Sequence, residues 1–146
     1  EFIWTENHEK VLNDLKKMLS QSPILGFYDA SKPLTVSVDA SSVGLGAALL
    51  QAGKPLAYAS KALTDVQKRY SQVEKELLAC CFGAEKFREY VIGRNDVVLE
   101  TDHKPLLGLF KKPLHGIPVR LQRMLLKLQP FKLNVQYKPG KFLHIA

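Results

Sequence analysis

Residues 33–50, PLTVSVDASSVGLGAALL, alternate and turn in a way that a sheet accommodates and a helix does not. Val36 and Val38 fall on one face of a period-two strand, with Thr35, Ser37 and Asp39 on the other. The run then passes Gly44 and Gly46 into a second apolar stretch, as one strand returning along another. Asp39 stands where the first strand ends. A bare carboxylate near the middle of a sheet is costly to desolvate, so another part of the chain must supply its partner.

The remaining pattern shows what could supply it. Strands are predicted at 34–40, 45–51 and 55–60, an antiparallel meander punctuated by glycine turns. A long helix follows from Thr64, a plausible N-cap, to Val91. Val66, Tyr70, Val73, Leu77, Cys81, Ala84, Phe87 and Val91 make its apolar stripe, and Gly93 ends it. VVLETD, 97–102, is a fourth strand, and a short helix opens at Pro105. A further helix opens at Pro118, with Leu121, Met124, Leu125 and Leu128 on one face and Arg120, Arg123 and Lys127 on another. FKLNVQYK, 131–138, is the fifth strand. Residues 1–33 read as a connecting segment with one helix, carrying Val11, Leu12, Leu15, Met18 and Leu19, that docks on the main domain or tethers it to something upstream. The main domain is 34–146.

Three strands, a long helix, a strand, helices and a last strand describe an α/β domain with helices packed on a mixed sheet. A right-handed crossover through the long helix leaves the strands on either side of it parallel. If the fourth strand lies beside the first, Asp39 and Asp102 meet at neighbouring carboxyl ends, where open α/β sheets place their sites.

Charge narrows the class of partner. The net charge is +7, yet all 14 acids lie at or before Asp102, and residues 103–146 hold nine Lys or Arg with no acid. A basic block with interspersed aromatics suits a polyanion, most commonly nucleic acid. A membrane span needs roughly 18–20 consecutive apolar residues, which no run approaches. The beginning, EFIWTENHEK, lacks the order of a signal peptide. Cys80 and Cys81 are adjacent within a helical pattern, poor partners for each other and too few for zinc, which fits a reducing intracellular setting.

Two aspartates forced together repel, and a divalent cation relieves them; a set of oxygen ligands favours Mg²⁺ or Mn²⁺ over zinc. The long helix offers a third carboxylate from SQVEKELLACC. At 100° per residue Glu74 and Glu76 lie on opposite borders of the apolar stripe, and periodicity does not choose between them. Taken singly, Asp39 also suits a turn, Asp102 a helix N-cap and Glu76 a solvated surface; their joint spacing weakens those readings, together with a family resemblance in the surrounding motifs.

In order along the chain, FIW, LKKMLSQSPILGFYD, VDASSVGLGAALLQ, YASKALTDVQKRYSQVEKELLA, LETDHKPL and YKPGK resemble the connection segment and ribonuclease H domain of reverse transcriptases from gypsy-class LTR retrotransposons. The resemblance covers nearly the whole chain. It implies a ribonuclease H-like fold: a five-stranded mixed sheet, the first three strands antiparallel and the fourth and fifth parallel to the first. It also implies a metal-dependent endonuclease that hydrolyses the RNA strand of RNA·DNA hybrids, as the C-terminal module of a retroelement polymerase in a cytoplasmic particle. The alternative is a catalytically impaired hybrid-binding or structural module of that polymerase.

Carried over by motif, the catalytic and metal-holding residues are Asp39, Glu76 in ELLA and Asp102 in TDHKP, with two Mg²⁺ ions for which Mn²⁺ substitutes. Glu74 becomes a supporting or surface residue. For the substrate, the turn of Ala40, Ser41, Ser42 and Gly44 is expected to sense 2′-hydroxyls, and Gln72 a groove edge. His103 is expected to touch substrate, and Lys111, Lys112, Arg120, Arg123, Lys127 and Lys138 to track phosphates. The family's fourth carboxylate opens ADALSR, immediately after the position of Ala146. The resemblance thus implies a domain truncated at its C-terminus that binds its second ion weakly. Leu143 stands where the family often has Asn, and His144 falls near a mobile general-base histidine of related enzymes.

Overall fold

The computed structural model describes residues 2–20 and 25–140; Leu143, His144 and Ala146 lie outside them. In chain order come α1 (Glu6–Ser20), β1 (Leu34–Ala40), β2 (Gly44–Gln51), β3 (Lys54–Ala62), α2 (Asp65–Lys68), α3 (Gln72–Lys86), α4 (Arg88–Val91), β4 (Val97–Thr101), α5 (Pro105–Lys111), α6 (Val119–Leu128) and β5 (Leu133–Tyr137). A 3-10 turn, Leu114–Gly116, precedes α6.

The sheet runs β3-β2-β1-β4-β5. β1 pairs antiparallel with β2, and β2 with β3; β1 pairs parallel with β4, and β4 with β5. This is the five-stranded mixed sheet that the family resemblance implies, and its parallel β1 and β4 agree with the crossover argument. Its register puts Val36 beside Leu49 and Leu99, so the β-branched and leucine residues of three strands form one buried row. α3 lies across β1 and β2, with Leu77, Cys80 and Ala84 buried against that row, and α6 packs on α3. The approach is close enough to demand glycine at one place. A Cβ on Gly83 would lie 2.7 Å from Val38 Cγ1 and 3.1 Å from Val36 Cγ1.

The single helix predicted over 64–91 is instead three. Thr64 caps α2 in a capping box with Gln67, and a second box, Ser71 with Glu74, starts α3. Each box satisfies backbone N–H groups that a continuous helix would have bonded itself, so the chain restarts at Ser71, whose backbone is extended at φ −61° and ψ 159°. Phe87 makes the second break, at φ −102° and ψ 23°. The predicted stripe therefore fails at its start, where Val66 is 55% exposed, and holds from Leu77 onward.

The four apolar residues predicted for α6 are all buried. Both cysteines are free and buried; Cys81 Sγ donates to the Met124 carbonyl, and burial pushes its thiol up to about 12. α1 buries no residue, and Val11, Leu15, Met18 and Leu19 stay exposed on it. Among the described residues no helix is long and apolar enough to cross a membrane.

Candidate active site

Asp39 lies near the carboxyl end of β1, and Asp102 directly follows β4, the parallel neighbour of β1. Glu76 stands on the second turn of α3, which crosses the same end of the sheet. One carboxylate oxygen from each of Asp39, Glu76 and Asp102 lies within 4.8 Å of the others. Glu76 is 2% exposed, and its Oε2 has no hydrogen-bond partner among the described residues. Burial, reinforced by the charges of Asp39 and Asp102, pushes its carboxyl up to about 7, although a hydrogen bond from Gln72 pulls the other way. Three crowded acids and an orphaned buried oxygen are the donor set a hard divalent cation satisfies, and the residues fit Mg²⁺ or Mn²⁺.

The choice that periodicity leaves open is made by the start of α3. Glu74 Oε2 accepts from both the backbone N–H and the hydroxyl of Ser71, at 2.8 and 3.0 Å, and its Oε1 accepts from Arg120 at 2.8 Å. Burial works to raise the Glu74 carboxyl, but these hydrogen bonds outweigh it and hold the group below its ordinary value. Glu74 is thus engaged away from the acids, while Glu76 joins them.

The expected substrate residues are placed as follows. Asp39 Oδ1 accepts from the Ala40 N–H, and the Ser41 N–H donates to the Gly44 carbonyl. Ser41 Oγ in turn accepts from the N–H groups of Val43 and Gly44, so the turn spends several of its donors on itself. Ser42 is exposed beside them. The Gln72 amide nitrogen donates to Glu76 Oε1 and to the Ala40 carbonyl, linking α3 to the end of β1. His103 is half-buried and donates its backbone N–H to Thr101 Oγ1; its ring is absent from the acidic cluster.

The basic residues divide. Arg120, Arg123 and Lys127 line one groove with Gln67, Tyr70 and Cys81, between α6 and the α2–α3 junction. Arg120 sits 4.2 Å above the Tyr70 ring while paired with Glu74, so its guanidinium is held flat from two sides. Lys111 is exposed at the end of α5, and Lys112 lines a different, largely apolar groove with Phe110, Leu125 and Phe131. Lys138 is bound to Glu100 at 3.0 Å. The six thus have different surroundings: three share the α6 groove, Lys112 lines another, Lys111 is exposed and Lys138 is paired with Glu100. Tyr70, read from the sequence as part of the buried stripe, is half-buried: it packs against the core and also lines the groove, where the break between the TDVQ and SQVE capping patterns places it.

Residues 4–98 match the model of the RNase H-like domain found in reverse transcriptase. The Retrovirus-related Pol polyprotein from transposon 297 of Drosophila melanogaster is 35% identical over 132 residues; these are 90% of this chain and 12% of that polyprotein. This chain thus spans a small fraction of its relative's length. Among solved structures, the foamy viral protease-reverse transcriptase in complex with RNA/DNA hybrid is similar over 93% of this chain and 19% of its own, with a TM-score of 0.67 and 23% identity. RNase H1 from the archaeon Halobacterium salinarum is similar over 77% of this chain and 90% of its own, with a TM-score of 0.58 and 19% identity.

Proposed function

The chain belongs to the family of RNase H-like domains found in reverse transcriptase, and from that premise we propose that it hydrolyses the RNA strand of RNA·DNA hybrids, as one module of a retroelement polyprotein. The observation that carries this reading is the meeting of Asp39, Glu76 and Asp102, with Glu76 Oε2 buried and, among the described residues, unpartnered. Structural acids at turns and caps find partners nearby, whereas this oxygen finds none among the described residues.

Asp39, Glu76 and Asp102 would hold two divalent ions, Mg²⁺ or Mn²⁺. When bound, such ions acidify an attacking water and offset charge on the leaving oxygen. In the reaction, water adds to phosphorus, the bond to the 3′ oxygen breaks, and a proton reaches that oxygen. Gln72 orients Glu76 toward the cluster and ties it to the end of β1. Ser42 and the surrounding turn face the 2′-hydroxyls, which distinguish the RNA strand. The groove of Arg120, Arg123 and Lys127 takes phosphates, giving affinity and salt dependence without sequence preference.

The exposed apolar stripe of α1 suits contact with upstream reverse transcriptase domains of a longer polyprotein, and it favours the alternative of a mainly structural module. Cleavage of a labelled RNA·DNA hybrid in Mg²⁺ and in Mn²⁺ decides between them. The nuclease reading expects metal-dependent cuts in the RNA strand. Salt-sensitive binding without cleavage would select the hybrid-binding module, and neither activity the structural one.

A further inference from the structure

Beyond the acids themselves, the chain holds a neighbour of Asp102 whose significance lies in what it lacks. β5 runs parallel to β4, with Tyr137 beside Thr101, and the pairing continues one step further as the Lys138 N–H donates to the Thr101 carbonyl at 2.9 Å. The Lys138 ammonium bonds both oxygens of Glu100, at 3.3 and 3.0 Å, on the adjacent strand. Backbone and side chain thus fix where the chain goes next, through Pro139 to Gly140. There it lies against the site. A Cβ built on Gly140 would stand 2.9 Å from Asp102 Oδ2, and 3.8 Å from Asp102 Cβ and Cγ. Gly53 and Gly93 take positive φ and Gly140 does not, so its need for glycine is one of space rather than of backbone freedom.

We infer that Gly140 is a positioning residue: the missing side chain leaves the room in which the Asp102 carboxylate turns toward Asp39 and Glu76. A methyl group at position 140 meets an oxygen that rotates away more cheaply than the strand can shift, because the strand is held by the Thr101 and Glu100 contacts. The fold tolerates that rotation and the cluster does not. This inference rests on the reading of Asp102 as a metal ligand, so the test must separate the two.

The test is a calorimetric Mn²⁺ titration of the chain, Gly140→Ala and Asp102→Asn, with thermal melts of each in chelator. The expected result is that Asp102→Asn loses ion binding, while Gly140→Ala binds about tenfold more weakly and melts as the parent does. Unchanged ion binding in Asp102→Asn would remove the site reading itself. Loss in Asp102→Asn with parental affinity in Gly140→Ala would overturn the inference about Gly140 alone. If Gly140→Ala also melts lower, Asp102→Ala is added to it. Recovery of the melting temperature places the conflict at this carboxylate and supports the inference; no recovery places the strain elsewhere and overturns it.

Discussion

Two buried polar side chains lie at opposite ends of the β1 and β2 pair, and they are treated in opposite ways. Gln51 closes β2 beside the start of β1 and is 5% exposed; its Oε1 accepts from the Asp29 N–H, and its nitrogen donates to the carbonyls of Asp29 and Lys32. Arg94 completes that end, donating to Lys32 and Ala30 carbonyls, to the Tyr28 hydroxyl and to Asp96. At the other end Glu76, buried at least as deeply, keeps one oxygen with no partner among the described residues, beside two further acids. Depth of burial is similar, so depth does not separate a structural polar group from a functional one. Satisfaction does: the first end has spent its hydrogen bonds on holding the chain, and the second keeps one acceptor unspent among the described residues.

Four measurements press on that contrast. The largest effect is expected from Asp39→Asn, which should lower hybrid cleavage by on the order of a hundredfold or more while the circular dichroism melt stays near the parent's. Retained cleavage would break the assignment of the unsatisfied end. Arg94→Ala should do the reverse, costing about 2–3 kcal/mol in urea unfolding through its lost carbonyl and Asp96 contacts, with cleavage per folded molecule kept.

Glu76→Gln sharpens the comparison by sign. Its carboxyl is pushed up to about 7 from an ordinary value of 4.5. Between those two values the folded chain holds a proton that the unfolded chain has released. Stability in chelator should therefore fall as pH rises from 4.5 to 7, then level off. Glu76→Gln should remove that fall and gain about 2 kcal/mol at pH 8 in urea melts, while abolishing cleavage. A loss of stability at pH 8 would mean that the carboxylate is satisfied after all. The smallest effect is expected at the groove: Arg123→Ala should reduce the slope of log affinity against log salt for a hybrid by about 1.

How much of this was legible in the sequence depends on whether a feature is local. Alternation in 33–50 and the handedness of a crossover made the strands and their parallel sense legible, but left as a condition that the fourth strand lies beside the first; the β1–β4 pairing meets that condition. Periodicity failed between Glu74 and Glu76 because it assumed one unbroken helix. With α3 beginning at Ser71, Glu74 is the third helical residue and is committed to the cap. The six basic residues looked alike as charges, but the grooves divide them according to α5, α6 and β5 packing, which no local pattern encodes. The room at Gly140 is a product of β4–β5 register and could not be read from the glycine itself.

The clasp of Gln51 and Arg94 also defines a path for mechanical load. Residues 28–32 are gripped there by main-chain carbonyls, a backbone N–H and the Tyr28 hydroxyl, all on the amino-terminal side of β1. A pull along the incoming chain would first meet that clasp, whose Arg94 is anchored by Asp96 to the segment leading into β4. The clasp and the three acids sit at opposite ends of the β1 and β2 pair, so holding the incoming chain and holding the cluster fall to different side chains.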